Sequence, residues 1–128
     1  MHAATLSWSP CATLYEARCY AAIAWTPNGV FVFGGVTPNT YYSDTIEQLT
    51  YVAASMWTAL TARLKTGRHV FAAAVAGDRV LLVGGWAAGN AYLNTVEMFD
   101  TMTRCIVGCA APISSGRIGL AAVSYTPK

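Results

Sequence analysis

The apolar residues of this chain fall into short runs that are separated by turn signals. Residues 69–76 are mostly small and, after the initial histidine, all apolar, a pattern typical of a strand that is buried on both faces. An Asn-Gly dipeptide at 28–29 and a Gly-Asp dipeptide at 77–78 each lie between two apolar runs, which predicts two β-hairpins. The β-branched and aromatic runs that follow, at 30–33 and 80–83, predict the second strands of these hairpins.

Each predicted hairpin is followed by a loop of polar and glycine residues and then by two further strands. The third strands are predicted at 45–51 and 95–100, and the fourth strands at 56–60 and 104–108. A helical interpretation fails because the alanine-rich stretches are short and are interrupted by prolines and glycines. The pattern therefore predicts an all-β chain built from four-stranded units.

The unit repeats at a spacing of 50 residues. Two segments at 18–35 and 68–85 begin with arginine and end with Gly-Gly, and the sequences Asp-Thr-Ile-Glu at 44–47 and Asn-Thr-Val-Glu at 94–97 keep the same spacing. A third unit begins at Arg117, 49 residues after the second. Four strands in about 50 residues is the spacing of a β-propeller blade.

These landmarks divide the single predicted domain, residues 1–128, into blade segments. The two complete segments, 18–67 and 68–116, are predicted to be four-stranded antiparallel blades. Residues 1–17 would be the outer strand of a preceding blade, and residues 117–128 the inner strand of a following blade. The predicted fold is thus a partial propeller of about two blades with flanking strands.

The ordered set of landmarks resembles the kelch repeat. The resemblance rests on the leading arginine, the Gly-Gly pair, the Thr-Ile/Val-Glu strand, and Trp57 with Leu60 before the next arginine, and it covers about 8–125. The second unit departs from this pattern, since Ile106 and Cys109 stand where the tryptophan and the leucine are expected. The resemblance implies kelch-type blades with a degenerate outer strand in the second unit.

Seven repeat positions are predicted to be structural. Glycine pairs at strand ends let a neighbouring backbone or ring approach closely, and a tryptophan on an outer strand buries a large area. Copies of one glutamate position lie in separate blades, so a shared pair of catalytic carboxylates is not expected. The positions are Gly34, Gly35, Gly84, Gly85, Trp57, Glu47 and Glu97.

The blade count raises a question about the state of the chain. Kelch-type propellers usually have about six or seven blades, which need roughly 300 residues or more. Two blades leave apolar end faces that a neighbour should cover. Three interpretations stay open: a fragment or truncated gene product, self-association that closes a ring, or an open stack capped by another chain.

The resemblance also implies where a partner would bind. In this family the usual binding face is the rim where the inner strands begin and where the loops 36–43 and 86–93 emerge. Arginine and aromatic side chains dominate interface energies, and a guanidinium presents a fork suited to carboxylates. The candidate rim residues are Arg18, Arg68, Arg117, Tyr41, Trp86, Asn90 and Tyr92.

The repeat leaves two roles open for these candidates. Arginines repeated at each blade start could instead bond carbonyls of the neighbouring blade. Tyr42 and Tyr92 occupy equivalent positions, which favours a structural role, whereas Tyr41 and Trp86 are not repeated and are better binding candidates.

Catalytic and metal chemistry find little support in the sequence. His69 is the only plausible general base, and no nucleophile with a base and an orienting acid can be assembled. Cys105 and Cys109 lack the spacing of a zinc site, and two histidines are too few for a copper oxidase. We therefore expect no metal, no cofactor and no enzyme activity.

Charge and hydropathy exclude two classes of partner. Hydrophobic residues make up 55% of the chain and charged residues 11%, without a basic stripe, which argues against nucleic-acid binding. No window of about 18 residues is free of charges and breakers, so no membrane span is expected. The four cysteines and the lack of a secretory pattern in residues 1–18 favour a cytoplasmic location.

The sequence thus predicts a non-catalytic protein-binding or scaffold module that contributes blades to a kelch propeller. The partner would be a protein or a peptide, with self-association or additional blades to close the propeller. The alternatives are a fragment of a kelch-type enzyme, either a copper oxidase or a sugar-processing enzyme, and a truncated product with no independent function.

Overall fold

A computed structural model describes residues 12–50 and 56–116 of this protein. The described residues form strands and turns without any helix, which confirms the all-β prediction. None of them forms a helix long and apolar enough to cross a membrane. The predicted outer strand at 1–17 lies mostly outside the described residues, as does the predicted inner strand at 117–128.

The first four-stranded antiparallel sheet belongs to the first unit, residues 18–67. Its strands are β1 (Ala22–Thr26), β2 (Gly29–Phe33), β3 (Thr45–Leu49) and β4 (Thr58–Arg63), and they are ordered as they follow in the chain. Thr26 lies opposite Gly29, so the tight turn between β1 and β2 consists of Pro27 and Asn28, one residue earlier than the predicted Asn-Gly dipeptide, and Gly29 begins β2.

The second sheet belongs to the second unit, residues 68–116, and repeats this arrangement. Its main strands are β5 (Ala72–Ala76), β6 (Arg79–Val83), β9 (Val96–Asp100) and β10 (Cys105–Ala110), in the spatial order β5-β6-β9-β10. The loop after β6 adds a small hairpin of β7 (Trp86–Ala87) and β8 (Ala91–Tyr92). This hairpin was not predicted from the sequence.

The inner strands begin later than predicted. Residues 69–76 were expected to form one strand, but β5 begins at Ala72 because Val70 adopts a left-handed conformation with a φ of 54°. The N–H of Val70 donates to the carbonyl of Tyr20, which has the equivalent conformation in the first unit, with a φ of 55°. Positive φ is unusual for a β-branched residue, so the start of the strand is strained at this point.

The outer strands were also misplaced in the sequence interpretation. The predictions at 56–60 and 104–108 correspond to β4 and β10, which lie further along the chain. In both units the pairing with the third strand contains a register shift, between Thr45 and Glu47 in the first and between Ile106 and Gly108 in the second. Such bulges lengthen one strand relative to its partner, which a simple repeat pattern does not reveal.

The hydrophobic core lies between the two sheets. The ring centroids of Phe31 and Phe33 of β2 lie 5.1 and 5.2 Å from that of Phe99 of β9, both in edge-to-face geometry, and all three side chains are fully buried. Each such pair contributes roughly 0.5–1.5 kcal/mol beyond the area it buries. Other buried members of this core are Ala22, Ala24, Ile46, Leu64, Phe71, Val80 and Leu82.

The Gly-Gly pair at the end of β2 brings backbone segments into close contact. Gly34 and Gly35 have φ values of 61° and 95°, in the left-handed region that favours glycine. A Cβ atom would lie 2.7 Å from the carbonyl oxygen of Arg68 at Gly34, and 2.7 Å from that of Cys19 at Gly35. The first glycine therefore allows the start of the second unit to pack against the end of β2.

Candidate functional site

The leading arginine of the second unit lies inside the protein. Arg68 is fully buried, and its Nη2 atom lies 2.6 Å from Oε2 of Glu97. Nη1 donates to the carbonyls of Gly84 and Thr95, Nη2 also to Oγ1 of Thr95, and Nε to the carbonyl of Thr66. All five N–H donors of the guanidinium are thereby occupied within the chain.

Glu97 completes this network on the acceptor side. Its two carboxylate oxygens accept hydrogen bonds from the backbone N–H groups of Lys65 and Thr66, at 2.7 and 3.2 Å. These residues belong to the linker that leaves the first unit, so the buried carboxylate ties the two units together. Burial lowers the pKa of Arg68 from its usual range, and the charge of Glu97 opposes this shift.

The first unit contains the same network. Nη1 of Arg18 donates to the carbonyl of Gly34, and Nη2 lies 2.6 Å from Oε2 of Glu47. Glu47 accepts hydrogen bonds from the backbone N–H groups of Tyr15 and Glu16, as Glu97 does from the equivalent linker. The arginine and glutamate side chains are almost completely buried here too.

These contacts correct the binding role considered for Arg18 and Arg68. Both guanidinium groups pair with a glutamate of their own unit and lie out of reach of a partner, so the geometry favours the structural role that the repeat left open. Arg117 lies outside the described residues. One signal in the sequence could have identified the pairs, because arginine and glutamate are separated by 29 residues in both units.

The loops on the same rim are positioned by the backbone around the Gly-Gly pairs. Gly35 accepts from the N–H of Ser43, and Gly85 accepts from the N–H of Leu93, so each pair closes the base of its loop. Isolated bridges then pair Cys19 with Val36 in the first unit. The equivalent bridge in the second unit joins His69 to Trp86, which places these two side chains together at the rim.

Five rings from both units meet at this point. We call them the rim cluster, and they are Tyr20, Tyr42, His69, Trp86 and Tyr92. The His69 ring lies at the centre: it stacks on Tyr42 with centroids 5.3 Å apart and meets Trp86 edge-to-face at 5.5 Å. Tyr20 lies 6.2 Å from His69, and Tyr92 lies edge-to-face on Trp86 at 5.8 Å.

A hydrogen bond fixes the orientation of the central histidine. Nδ1 of His69 lies 2.6 Å from the carbonyl oxygen of Tyr41. Since a carbonyl oxygen only accepts, Nδ1 must carry the proton and donate to it. The His69 side chain is thus held by the first loop, and it serves as the support on which the outer rings pack.

The predicted rim residues differ in how far their side chains are exposed to solvent. Tyr41 and Tyr92 are 71% and 57% exposed, and Asn90 is exposed at a left-handed position in the hairpin of β7 and β8. Trp86 is half-buried. Tyr20, which the sequence interpretation missed, is 66% exposed and joins the cluster because its backbone is left-handed.

A shallow cavity adjoins the first rim loop. It has a volume of about 340 Å³ and is lined by consecutive residues from Val36 to Tyr41. At its edge the side-chain amide of Asn39 donates to a carboxylate oxygen of Glu16 at 2.8 Å. The rim thus offers aromatic rings, amides and hydroxyl groups next to a concave loop surface.

Groups with catalytic or metal-binding potential are scattered. Within residues 12–50 and 56–116, no group of three or more His, Cys, Asp and Glu side chains could hold a metal ion. Cys19, Cys105 and Cys109 are free thiols. Glu47 and Glu97 are each occupied by the arginine of their own unit.

The tryptophan of the first outer strand has a smaller structural role than expected. Trp57 is half-buried and lies just before β4, outside the buried core between the sheets. The core is instead dominated by phenylalanines from β2 and β9.

Comparison with known proteins adds one finding on the sequence. Residues 67–105 match the model of the Kelch motif, a segment that runs from the residue before Arg68 to the start of β10. A comparison with curated proteins finds no significant match. The segment 17–55 lies 50 residues earlier, and it contains the same arginine–glutamate network.

Proposed function

Because residues 67–105 form a kelch repeat, we propose that this protein is a non-catalytic protein-binding module whose docking surface is the rim cluster with Tyr41 and Asn90. Kelch repeats generally mediate protein–protein interactions, so the motif supports the class of function. The rim cluster supports the location. It is the place where exposed aromatic side chains of both units converge.

The observation that carries this proposal is the combination of exposed and supported rings. Tyr20, Tyr41 and Tyr92 are each more than half exposed. The Tyr20 ring lies near His69, the Tyr92 ring packs on Trp86, and the Tyr41 carbonyl accepts a hydrogen bond from His69. Tyrosine and tryptophan are enriched among residues that dominate binding energies. Rings that are already held by neighbours lose little conformational entropy when a partner docks, which favours affinity.

The proposal is tested by selecting ligands without prior assumptions about their sequence. Peptides from a random displayed library are selected on the protein, and their affinities are measured for a double variant, Tyr41→Ala with Tyr92→Ala. We expect these affinities to fall at least about tenfold, because hot-spot tyrosines each contribute more than roughly 1 kcal/mol. Circular dichroism checks that the variant is folded.

A matched control separates the rim from other exposed apolar residues. Met102 is 65% exposed in the turn between β9 and β10, at the opposite end of the sheet. The substitution Met102→Ala should leave the selected affinities unchanged. Ligands that bind the double variant as tightly as the original protein, or a loss of affinity with Met102→Ala alone, would refute the proposed surface.

A further inference from the structure

One polar group in the rim cluster has no acceptor. Nε1 of Trp86 is buried and makes no hydrogen bond in the described part of the chain. A buried donor without a partner costs roughly 1–3 kcal/mol. Tryptophan N–H groups usually find an acceptor when they are buried, so this donor is ready for an acceptor that a ligand brings.

Tyr92 packs beside Trp86, and movement of its ring would expose this indole N–H to a ligand. Tyr92 lies directly opposite Trp86 across the short hairpin of β7 and β8, with the rings perpendicular at 89°. Tyr92 is 57% exposed, so a ligand can reach its ring from the solvent. Displacement of this ring by a ligand would open a path to the indole N–H.

The charges of the site restrict the chemistry of the ligand. Arg18 and Arg68, which would have suited a carboxylate, are bonded to Glu47 and Glu97. Recognition at the cluster therefore depends on ring faces and on neutral donors such as indole and phenol groups. A suitable ligand presents apolar rings for stacking and carbonyl oxygens that are not already hydrogen-bonded.

A polyproline II helix meets both requirements. It has no internal hydrogen bonds, so all of its backbone carbonyls are free to accept. Proline-rich segments in this conformation dock into aromatic-lined grooves and lose little entropy because the helix is preformed. The exposed rings of Tyr20, Tyr41 and Tyr92 provide aromatic surfaces on which prolines could stack, next to Trp86.

We propose that the rim cluster binds a proline-rich peptide in the polyproline II conformation, and that Nε1 of Trp86 donates a hydrogen bond to one of its backbone carbonyls. This inference rests on the proposed function, since it concerns the same surface. It adds the chemical class of the partner and the atom of this protein that hydrogen-bonds to it.

The test uses an acetylated and amidated peptide of about ten prolines, which is a polyproline II helix without side-chain charge. The full chain is titrated with this peptide while the indole N–H signals are followed by ¹H–¹⁵N NMR. The signal of Trp86, identified by its absence in Trp86→Phe, should shift at saturation. Affinity should fall about tenfold in Trp86→Phe, which keeps an aromatic ring but removes the donor.

Trp57→Phe is the matched control, since Trp57 lies before β4 and outside the rim cluster. It should leave the affinity for the proline peptide unchanged. An unmoved Trp86 indole signal at saturation, or equal affinity in Trp86→Phe, would overturn the inference. One result would refute this inference and leave the proposed function intact. In that case the library would yield peptides without proline whose binding depends on the rim cluster, and the proline peptide would not bind.

Discussion

The first unit and the second unit have the same buried network but different surroundings. Arg18 and Glu47 are 2.6 Å apart, as are Arg68 and Glu97, and the shared donors and acceptors follow at a constant offset. The network therefore depends on residues within the unit and its linker. It forms in both units, which lie on opposite sides of the junction between the sheets.

The guanidinium groups differ at one atom. Nε of Arg68 donates to the carbonyl of Thr66, whereas Nε of Arg18 is buried and has no acceptor among the described residues. Glu16 partly offsets this difference, because its carboxylate lies 3.8 Å from Nη2 of Arg18. The first unit thus has a weaker set of hydrogen bonds but a second carboxylate nearby.

The inner strands differ in what covers them. Ala73 and Val75 of β5 are half-buried and pack against the core between the sheets. Their equivalents in β1 are Ile23 and Trp25, which are 62% and 76% exposed. This face of the inner strand is thus part of the core in β5 and exposed to solvent in β1. The larger apolar residues, Ile23 and Trp25, lie on the exposed face of β1.

The largest losses of stability are expected when the glutamates are removed. Glu97→Ala leaves a buried guanidinium without its counter-charge and two backbone N–H groups without acceptors, which should lower the free energy of unfolding by about 5 kcal/mol. Glu47→Ala should have a smaller effect, about 3 kcal/mol, because Glu16 remains close to Arg18. Urea denaturation measures both values.

An exposed ion pair provides the control for this prediction. Asp44 pairs with Arg63 at 2.9 Å, and the two side chains are 39% and 63% exposed. Asp44→Ala should change the stability by less than about 1 kcal/mol. Equal losses for Glu47→Ala and Glu97→Ala would show that Glu16 does not compensate.

Substitutions at an equivalent pair of apolar residues should separate the core from the open face. Phe99→Ala removes the ring that meets both Phe31 and Phe33, and it should cost about 4 kcal/mol. Leu49, at the equivalent position in β3, is half-buried, so Leu49→Ala should cost about 2 kcal/mol. Urea unfolding midpoints measure the loss of stability in each variant. If Leu49→Ala destabilises the protein as much as Phe99→Ala, the core does not lie where the structure places it.

The repeat predicted the sheets better than it predicted the ends of the strands. Both hairpins follow from local turn signals in the sequence, although the first turn lies at Pro27-Asn28, one residue before the predicted dipeptide, while the second lies at Gly77-Asp78 as predicted. The late start of β5 depends on the left-handed Val70, whose N–H bonds to Tyr20 in the other unit. That contact joins residues 50 apart, and no local pattern shows it.

The candidate site was only partly accessible from sequence. Tyr41, Asn90 and Tyr92 were identified because they lie in loops predicted to reach the rim, and the structure leaves them exposed. The central position of His69 could not be predicted, since its ring meets side chains from three other segments of the chain. The sequence left a structural and a binding role open for Arg18 and Arg68, because their burial depends on packing that the repeat pattern does not show.

The smallest expected difference concerns the turn after the third strand, where only the second unit has a carboxylate. Asp100 occupies the position of Thr50, and the N–H of Thr103, followed by that of Met102 and the charge of Arg79, lowers the pKa of its carboxyl group. A depressed pKa in the folded state means that the ionised group stabilises the fold above the unfolded-state pKa, about 3.9. This contribution is lost as the pH falls through the lower folded-state value.

The replacement Asp100→Asn should therefore reduce stability slightly at pH 7, and its difference from the original protein should shrink as the pH is lowered below about 4. Urea unfolding midpoints of both proteins, measured from pH 7 to below pH 4, test whether the stability difference shrinks as the pH falls. Arg79→Gln distinguishes the cause, because Arg79 lies 3.8 Å from the carboxylate and contributes less than the turn N–H groups. Most of the pH dependence should persist in Arg79→Gln; its loss there would mean that the ion pair, and not the turn, depresses the pKa of Asp100.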